Sequence, residues 1–150
     1  MLLGAFLAVV GGWIGYEIRA KREDHRELSA IKVTIGDELF SIGVTIKTMH
    51  ETWTQSNVLY PAYISDLSSN TTFDNLRPRL FLIKDHELRR DIVSFYKKFK
   101  DLLKKSEGEV GTLAETDEAK KEQQKIHDEF EKLGVETDKL KNKITKYTIS

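Results

Sequence analysis

The chain has 150 residues, no cysteine and two prolines, and its 24 basic and 24 acidic side chains cancel. The lack of thiols excludes a disulfide framework and a thiolate metal site, and the charge balance argues against a general polyanion binder. The length supports one domain plus an anchor, and 32% charged residues with so little proline suit long helices, so the fold class expected is all-α.

The first element is the uncharged run MLLGAFLAVVGGWIGY, Met1 to Tyr16, which ends abruptly in Glu17-Ile18-Arg19-Ala20-Lys21-Arg22-Glu23-Asp24. As a helix it measures about 24 Å, short against a hydrocarbon core of about 30 Å. Ile18 and the stems of Arg19 and Lys21 extend it by snorkelling, and bilayer thinning absorbs the remaining mismatch. Trp13 and Tyr16 fall near its end, where amphipathic rings favour the headgroup level. A secretory signal peptide needs positive charge before the apolar run, and here the charge follows it. A buried core helix would need cover on all sides, and the chain has little apolar surface to spare. The expectation is a single-pass transmembrane anchor over 1–18. The basic flank Arg19, Lys21, Arg22 and Arg26 places the N-terminus outside and residues 19–150, a helical bundle domain, in the cytoplasm. Small residues recur at four-residue steps, Gly4, Ala8 and Gly12 on one stripe and Gly11 and Gly15 on another. Such stripes admit close helix packing, consistent with a homodimer in the membrane, although Gly and Ala are common in membrane helices anyway.

Helix A is expected over about 17–55, continuous with the anchor. Leu28, Ile31, Ile35, Leu39, Ile42, Ile46, Met49 and Trp53 step by three and four, which is one helical face. Gly36 and Gly43 each follow a stripe isoleucine; close approach of another helix is one reading, local tolerance of glycine the other. Residues 56–84 read as irregular with short helices. Pro61 suits a helix first turn, Ser68 to Thr72 form a turn cluster, and a second short helix starts at Phe73, capped by Thr72 and interrupted by Pro78. Asn70-Thr71-Thr72 matches a glycosylation sequon and is read as loop chemistry. Arg77-Pro78-Arg79 is read as a basic surface turn.

Helix B is expected over about 86–106, with Asp85 as N-cap and a stripe of Leu88, Ile92, Phe95, Phe99 and Leu102 widened by Tyr96 and Leu103. Lys97, Lys98, Lys100, Lys104 and Lys105 load its C-terminal half, and Gly108 and Gly111 end it. Helix C is expected over about 113–147, opened by a Thr112–Glu115 capping box or by a competing start at Thr116. Its seam, Ile126, Phe130, Leu133, Thr137, Leu140, Ile144 and Tyr147, has coiled-coil spacing. Three amphipathic helices with short connections imply an antiparallel bundle: A leaves the membrane, B returns, C leaves again. That topology brings the lysines of B near the anionic leaflet.

No reaction chemistry is legible. His25, His50, His86 and His127 are scattered over different helices without a recognised ligand spacing, there is no phosphate loop, dinucleotide fingerprint or nucleophile elbow, and the acidic residues lie in charge-balanced helical faces. An enzyme, a cofactor and a metal are not expected. Nucleic acid is not expected: Lys97 to Lys105 with Tyr96 and Phe99 is the only candidate stretch, and those aromatics fall on the apolar stripe.

The segment FDNLRPRLFLIKDHELRRDIVSFYKKF, Phe73 to Phe99, resembles a loose group of uncharacterised single-pass membrane proteins of bacteria and archaea. The shared pattern is a short membrane helix, a basic flank, a long helix, an aromatic-x-x-Leu segment, an apolar pair before Asp-x-x-Leu, and an aromatic pair such as Phe95-Tyr96. It covers about the first two thirds of the chain. Pro78 departs from it, standing where such segments carry Gly or small polar residues. The resemblance implies the architecture and no activity, ligand or functional residue.

The function expected is that of a membrane-anchored helical bundle acting through protein–protein contacts, whether scaffold, oligomerisation or sensing, with partners comprising the membrane, a second copy and an unidentified protein. The rival is a small-ligand or lipid-headgroup module with the 60–82 loop lidding a bundle pocket, motivated by Tyr60, Tyr63, Phe73 and Phe81. A membrane-lysis or spanin-like role is a third reading; it fits the size but requires a domain outside the cytoplasm.

Overall fold

The computed structural model describes residues 2–56, 59, 61–69, 72–109 and 116–147, without the side chains of 2–12, 69, 108 and 109. All the described secondary structure is helical: α1 Leu2–Ser56, α2 Pro61–Ser69, α3 Phe73–Leu76, a 3-10 segment Arg77–Leu82, α4 His86–Glu109 and α5 Asp117–Lys146.

Helix α1 runs without a break for 55 residues, about 80 Å at the usual rise. Among its described side chains the first that is buried is Leu28, and from there the predicted stripe through Trp53 is buried. Between Trp13 and Arg26 no residue is buried. This stretch stands clear of the bundle as a lone helical arm, so helix A joins the core about ten residues later than a domain starting at 19 implies. Among the described residues no helix is long and apolar enough to cross a membrane. Most of the predicted anchor lies outside the described side chains, and Gly4, Ala8, Gly11 and Gly12 are among them. Of the predicted membrane stripe only Gly15 is described, and nothing lies within 4 Å of a Cβ built on it. Arg19, Lys21, Arg22 and Arg26 are all exposed.

The bundle has four legs where three were expected. Lys32 Nζ donates to the carbonyl of Tyr147 at 2.6 Å, Gly43 meets Thr137, Gly134 meets Ile46, and His50 meets His127. Residue numbers that rise in α1 fall in α5, so the two are antiparallel. Lys98 pairs with Glu136 at 2.9 Å, Lys105 with Glu129 at 2.9 Å, and Lys143 with Asp91, so α4 and α5 are antiparallel too. It follows that α1 and α4 run parallel. Helix B does not return towards the start of helix A. The returning leg is the stretch read as irregular: Tyr63 lies against Thr52, Thr72 against Glu38, and Arg79 against Glu27 at 3.2 Å, so it descends along α1. Ile64, Leu67, Phe73 and Leu80 from this leg are buried in the common core. The lysine-rich half of α4 therefore sits at the end of the bundle remote from the arm, and its lysines are spread over acidic partners on α5 and α3.

Local chemistry accounts for the helix ends. Asp85 Oδ1 accepts from the amides of Glu87 and Leu88 at 2.9 and 3.0 Å, the expected N-cap of α4. Helix α5 starts at Asp117, later than the expected 113, because the Thr116 side chain accepts from the Ala119 amide at 3.2 Å; Thr112 lies outside the described residues. Thr72 precedes α3 as expected but its side chain makes no cap hydrogen bond. Its hydroxyl donates instead to Glu38 Oε2 at 2.8 Å, and its amide to Oε1 at 3.2 Å. Glu38 is 6% exposed, and a buried carboxylate that lacks donors is costly, so it claims both groups.

Burial, opposed by Thr72, Tyr96 and Lys100, raises the Glu38 pKa above the ordinary 4.5, and burial together with Glu38 raises that of Tyr96. The folded chain thus holds the Glu38 proton more tightly than the unfolded chain. The resulting stability is full below about pH 4.5 and is lost as pH rises through the raised folded value. Glu38→Gln, which keeps the shape without the charge, is expected to gain on the native chain across that window and to differ from it by a constant amount at more acid pH. Paired thermal melts from pH 4 to pH 8, roughly the window set by this linkage, check this; parallel melting profiles would contradict it.

Candidate functional site

The α1–α5 seam brings together what the sequence separates. His50 on α1 and His127 on α5 are 77 residues apart in the chain, and His50 Nδ1 stands 3.2 Å from His127 Nε2. Both are there because of helical phase. His50 flanks the buried stripe beside Met49 and is half-buried, while His127 follows Ile126 on the α5 seam and is 3% exposed. Glu131 lies one turn after His127 on the same face. The ligand atoms of His50, His127 and Glu131 lie within 4.8 Å of one another.

The rings are held in place. Trp53, one turn after the level of His50, stacks on His127 with centroids 4.8 Å apart and planes 17° from parallel, and the two imidazole planes lie 21° from parallel with centroids 5.2 Å apart. His127 Nδ1 is buried without a hydrogen bond, and the Asp128 carboxylate stands 3.5 Å from it. Asp128 in turn accepts from Gln124 Nε2 at 2.7 Å, the main reason its pKa falls below the ordinary carboxyl value. Burial is the main cause that lowers the His127 pKa, with His50 acting the same way and Asp128 opposing. The neutral imidazole, which this burial favours, keeps a lone pair on one ring nitrogen.

The cluster opens onto a groove of 360 Å³ between α1 and α5, bordered by Phe40, Gly43, Val44, His50, Glu131 and Val135. A second hollow of 550 Å³ continues the line along Val33, Gly36 and Phe40. Val33, Phe40, Val44 and Val135 are 58%, 57%, 48% and 54% exposed. The first three form a second stripe on α1, opposite the core stripe. It was in the sequence at steps of seven and four, hidden by the stronger isoleucine–leucine periodicity. Lys141 Nζ lies 4.4 Å from the centre of the Phe40 ring.

Other residues singled out by the sequence find structural roles. His25 and His86 are exposed and remote in the chain from the cluster. Tyr96 and Phe99 are 0% exposed, and Phe73 stacks on Tyr96 at 4.0 Å, so the lysine-flanked aromatics are core. Of the aromatics that suggested a lid, Phe73 is buried, Tyr63 bonds to Thr52 at 2.9 Å, Phe81 is exposed, and Tyr60 lies outside the described residues. The described part of the 60–82 stretch is a leg of the bundle rather than a cover over it. Asn70 and Thr71 of the sequon lie outside the described residues, as does Gly111, whereas Gly108, expected to end helix B, lies inside α4.

Comparison with protein-family models finds no match, and neither curated proteins nor solved structures yield one. The resemblance carried by Phe73 to Phe99 thus rests on those residues alone.

Proposed function

We propose that the chain is a non-catalytic, membrane-anchored helical bundle that works through protein contacts, with a second copy of itself seated along the outer face of α1. The observation that carries this reading is the continuity of that face. Gly15 and Val33 are about five turns apart at about 3.6 residues per turn, so they share a side of one unbroken helix with Phe40 and Val44. By the same spacing Gly4, Ala8 and Gly11 fall close to that side. Two copies anchored in one membrane are parallel and offer each other this face along its whole length. Arg22 and Arg26 also fall there, at the level where lipid phosphates would neutralise them.

Membrane attachment draws on a second feature. Trp13, Ile14, Tyr16 and Ile18 are 63%, 47%, 72% and 47% exposed on the lone arm. Large apolar groups left open on every side of a helix need cover, and the uncharged run before them needs the same solvent. The basic flank puts the bundle in the cytoplasm.

The chain has no native cysteine, so single engineered thiols report cleanly. Val33→Cys and Phe40→Cys are expected to form disulfide dimers in membranes, Ser94→Cys on α4 is not, and Phe40→Asp added to Val33→Cys is expected to cut the crosslinked fraction severalfold. Equal crosslinking at Val33 and Ser94, or no effect of Phe40→Asp, would sink the self-association reading. Protection of the Ser94→Cys thiol from an impermeant reagent in intact cells is expected from the cytoplasmic placement; labelling would reverse the orientation.

A further inference from the structure

We propose that His50, His127 and Glu131 form a binding site for a divalent transition-metal ion of the zinc class, which clamps α1 to α5 at the end of the bundle remote from the arm. The site's geometry is independent of self-association. Two imidazole nitrogens each about 2.0–2.1 Å from one ion at a tetrahedral angle stand about 3.3 Å apart, and His50 Nδ1 and His127 Nε2 are 3.2 Å apart. As a plain hydrogen bond this contact would need a proton on one nitrogen. An ion between them needs that proton moved to the other nitrogen of the same ring, so that both facing nitrogens present lone pairs. Glu131 supplies a third ligand from an exposed, rotatable side chain within 4.8 Å of the nitrogens. The open groove leaves the remaining position to water.

The surroundings fit a ligand rather than a core histidine. A histidine that binds a metal through one nitrogen directs the N–H of the other at a carboxylate, which fixes its tautomer. His127 Nδ1 is buried without a hydrogen bond, with the Asp128 carboxylate 3.5 Å away and itself held by Gln124. A proton on Nδ1, the nitrogen on the Asp128 side, leaves Nε2, the nitrogen facing His50, with the free lone pair. Trp53 stacked on the ring removes its freedom to turn away. Nitrogen and carboxylate donors without thiolate select borderline ions such as Zn²⁺, Co²⁺, Ni²⁺ or Cu²⁺ over Mg²⁺ or Ca²⁺.

The test is titration of the full chain in detergent with Zn²⁺ alone, followed calorimetrically, and with Cu²⁺, followed by quenching of Trp53 fluorescence in a Trp13→Phe background. One ion per chain is expected, together with a rise in Tm as Zn²⁺ is added, since an ion that binds only the folded chain stabilises it. His50→Gln, at a half-buried position that tolerates change, is expected to weaken binding by more than about tenfold, and Asp128→Asn by about 10- to 100-fold. Glu131→Gln weakens it less, and His86→Gln leaves it unchanged. His127→Gln is the most direct variant; should it fail to fold, His50→Gln and Asp128→Asn carry the test. Absence of stoichiometric Zn²⁺ binding by the folded chain would overturn the site, as would binding that survives His50→Gln or is lost with His86→Gln.

Discussion

Phe130→Ala is expected to cost about 3–5 kcal/mol of folding free energy, the loss typical of a large aromatic removed from a closed core. Phe130 is 0% exposed on α5, the helix that packs against both α1 and α4. At about 2–4 °C per kcal/mol for a chain of this size, Tm falls by roughly 6–20 °C. Phe40→Ala serves as the contrast. Phe40 is 57% exposed and its loss removes a contact with Lys141, an effect of about 0.5–1 kcal/mol. Thermal and urea unfolding of both variants decide the matter. Equal costs would mean that α5 does not sit at the centre of the bundle.

Gly134→Leu is the second large effect. A Cβ on Gly134 would lie 3.1 Å from Ile46 Cγ2, which is closer than side chains ordinarily approach. Leucine there recovers most of the about 0.8–1.0 kcal/mol of helix propensity that separates glycine from alanine but drives its further atoms into α1, and overpacking of this kind costs about 1–3 kcal/mol. Net destabilisation is expected. Gly36→Ala should do the opposite: nothing lies within 4 Å of a Cβ there, so the helix gains about 0.5–1 kcal/mol with no clash. Denaturant melts in detergent give the signs. If both variants stabilise, the close approach of α5 to α1 at Gly134 is not there.

The glycines mark how far a reading of sequence reaches. Gly36 and Gly43 both followed a stripe isoleucine and looked alike. Gly43 meets Thr137 of α5, with 3.6 Å to a built Cβ, while Gly36 faces open space. Gly134, which lies in the tightest of these contacts, carried no periodic signal because it sits between two seam positions.

Within one helix, local sequence settles a great deal. The stripes of α1, α4 and α5 are buried residue for residue from Leu28, Leu88 and Ile126 as far as Trp53, Leu103 and Ile144, and Pro61 and Asp85 mark helix starts where local chemistry put them. Periodicity and capping act over a turn or two of chain, and a turn or two is all that such reasoning needs. Packing settles whatever depends on which stripe meets which. It made a descending leg out of Pro61 to Leu82, because the core between α1 and α4 needs side chains that a short broken stretch can supply as well as a long helix. That extra leg turned α4 parallel to α1 and carried its lysines away from the arm. It set Glu38 against Thr72, and it placed His50 against His127, a pairing fixed by the register of two antiparallel helices and written in neither of them.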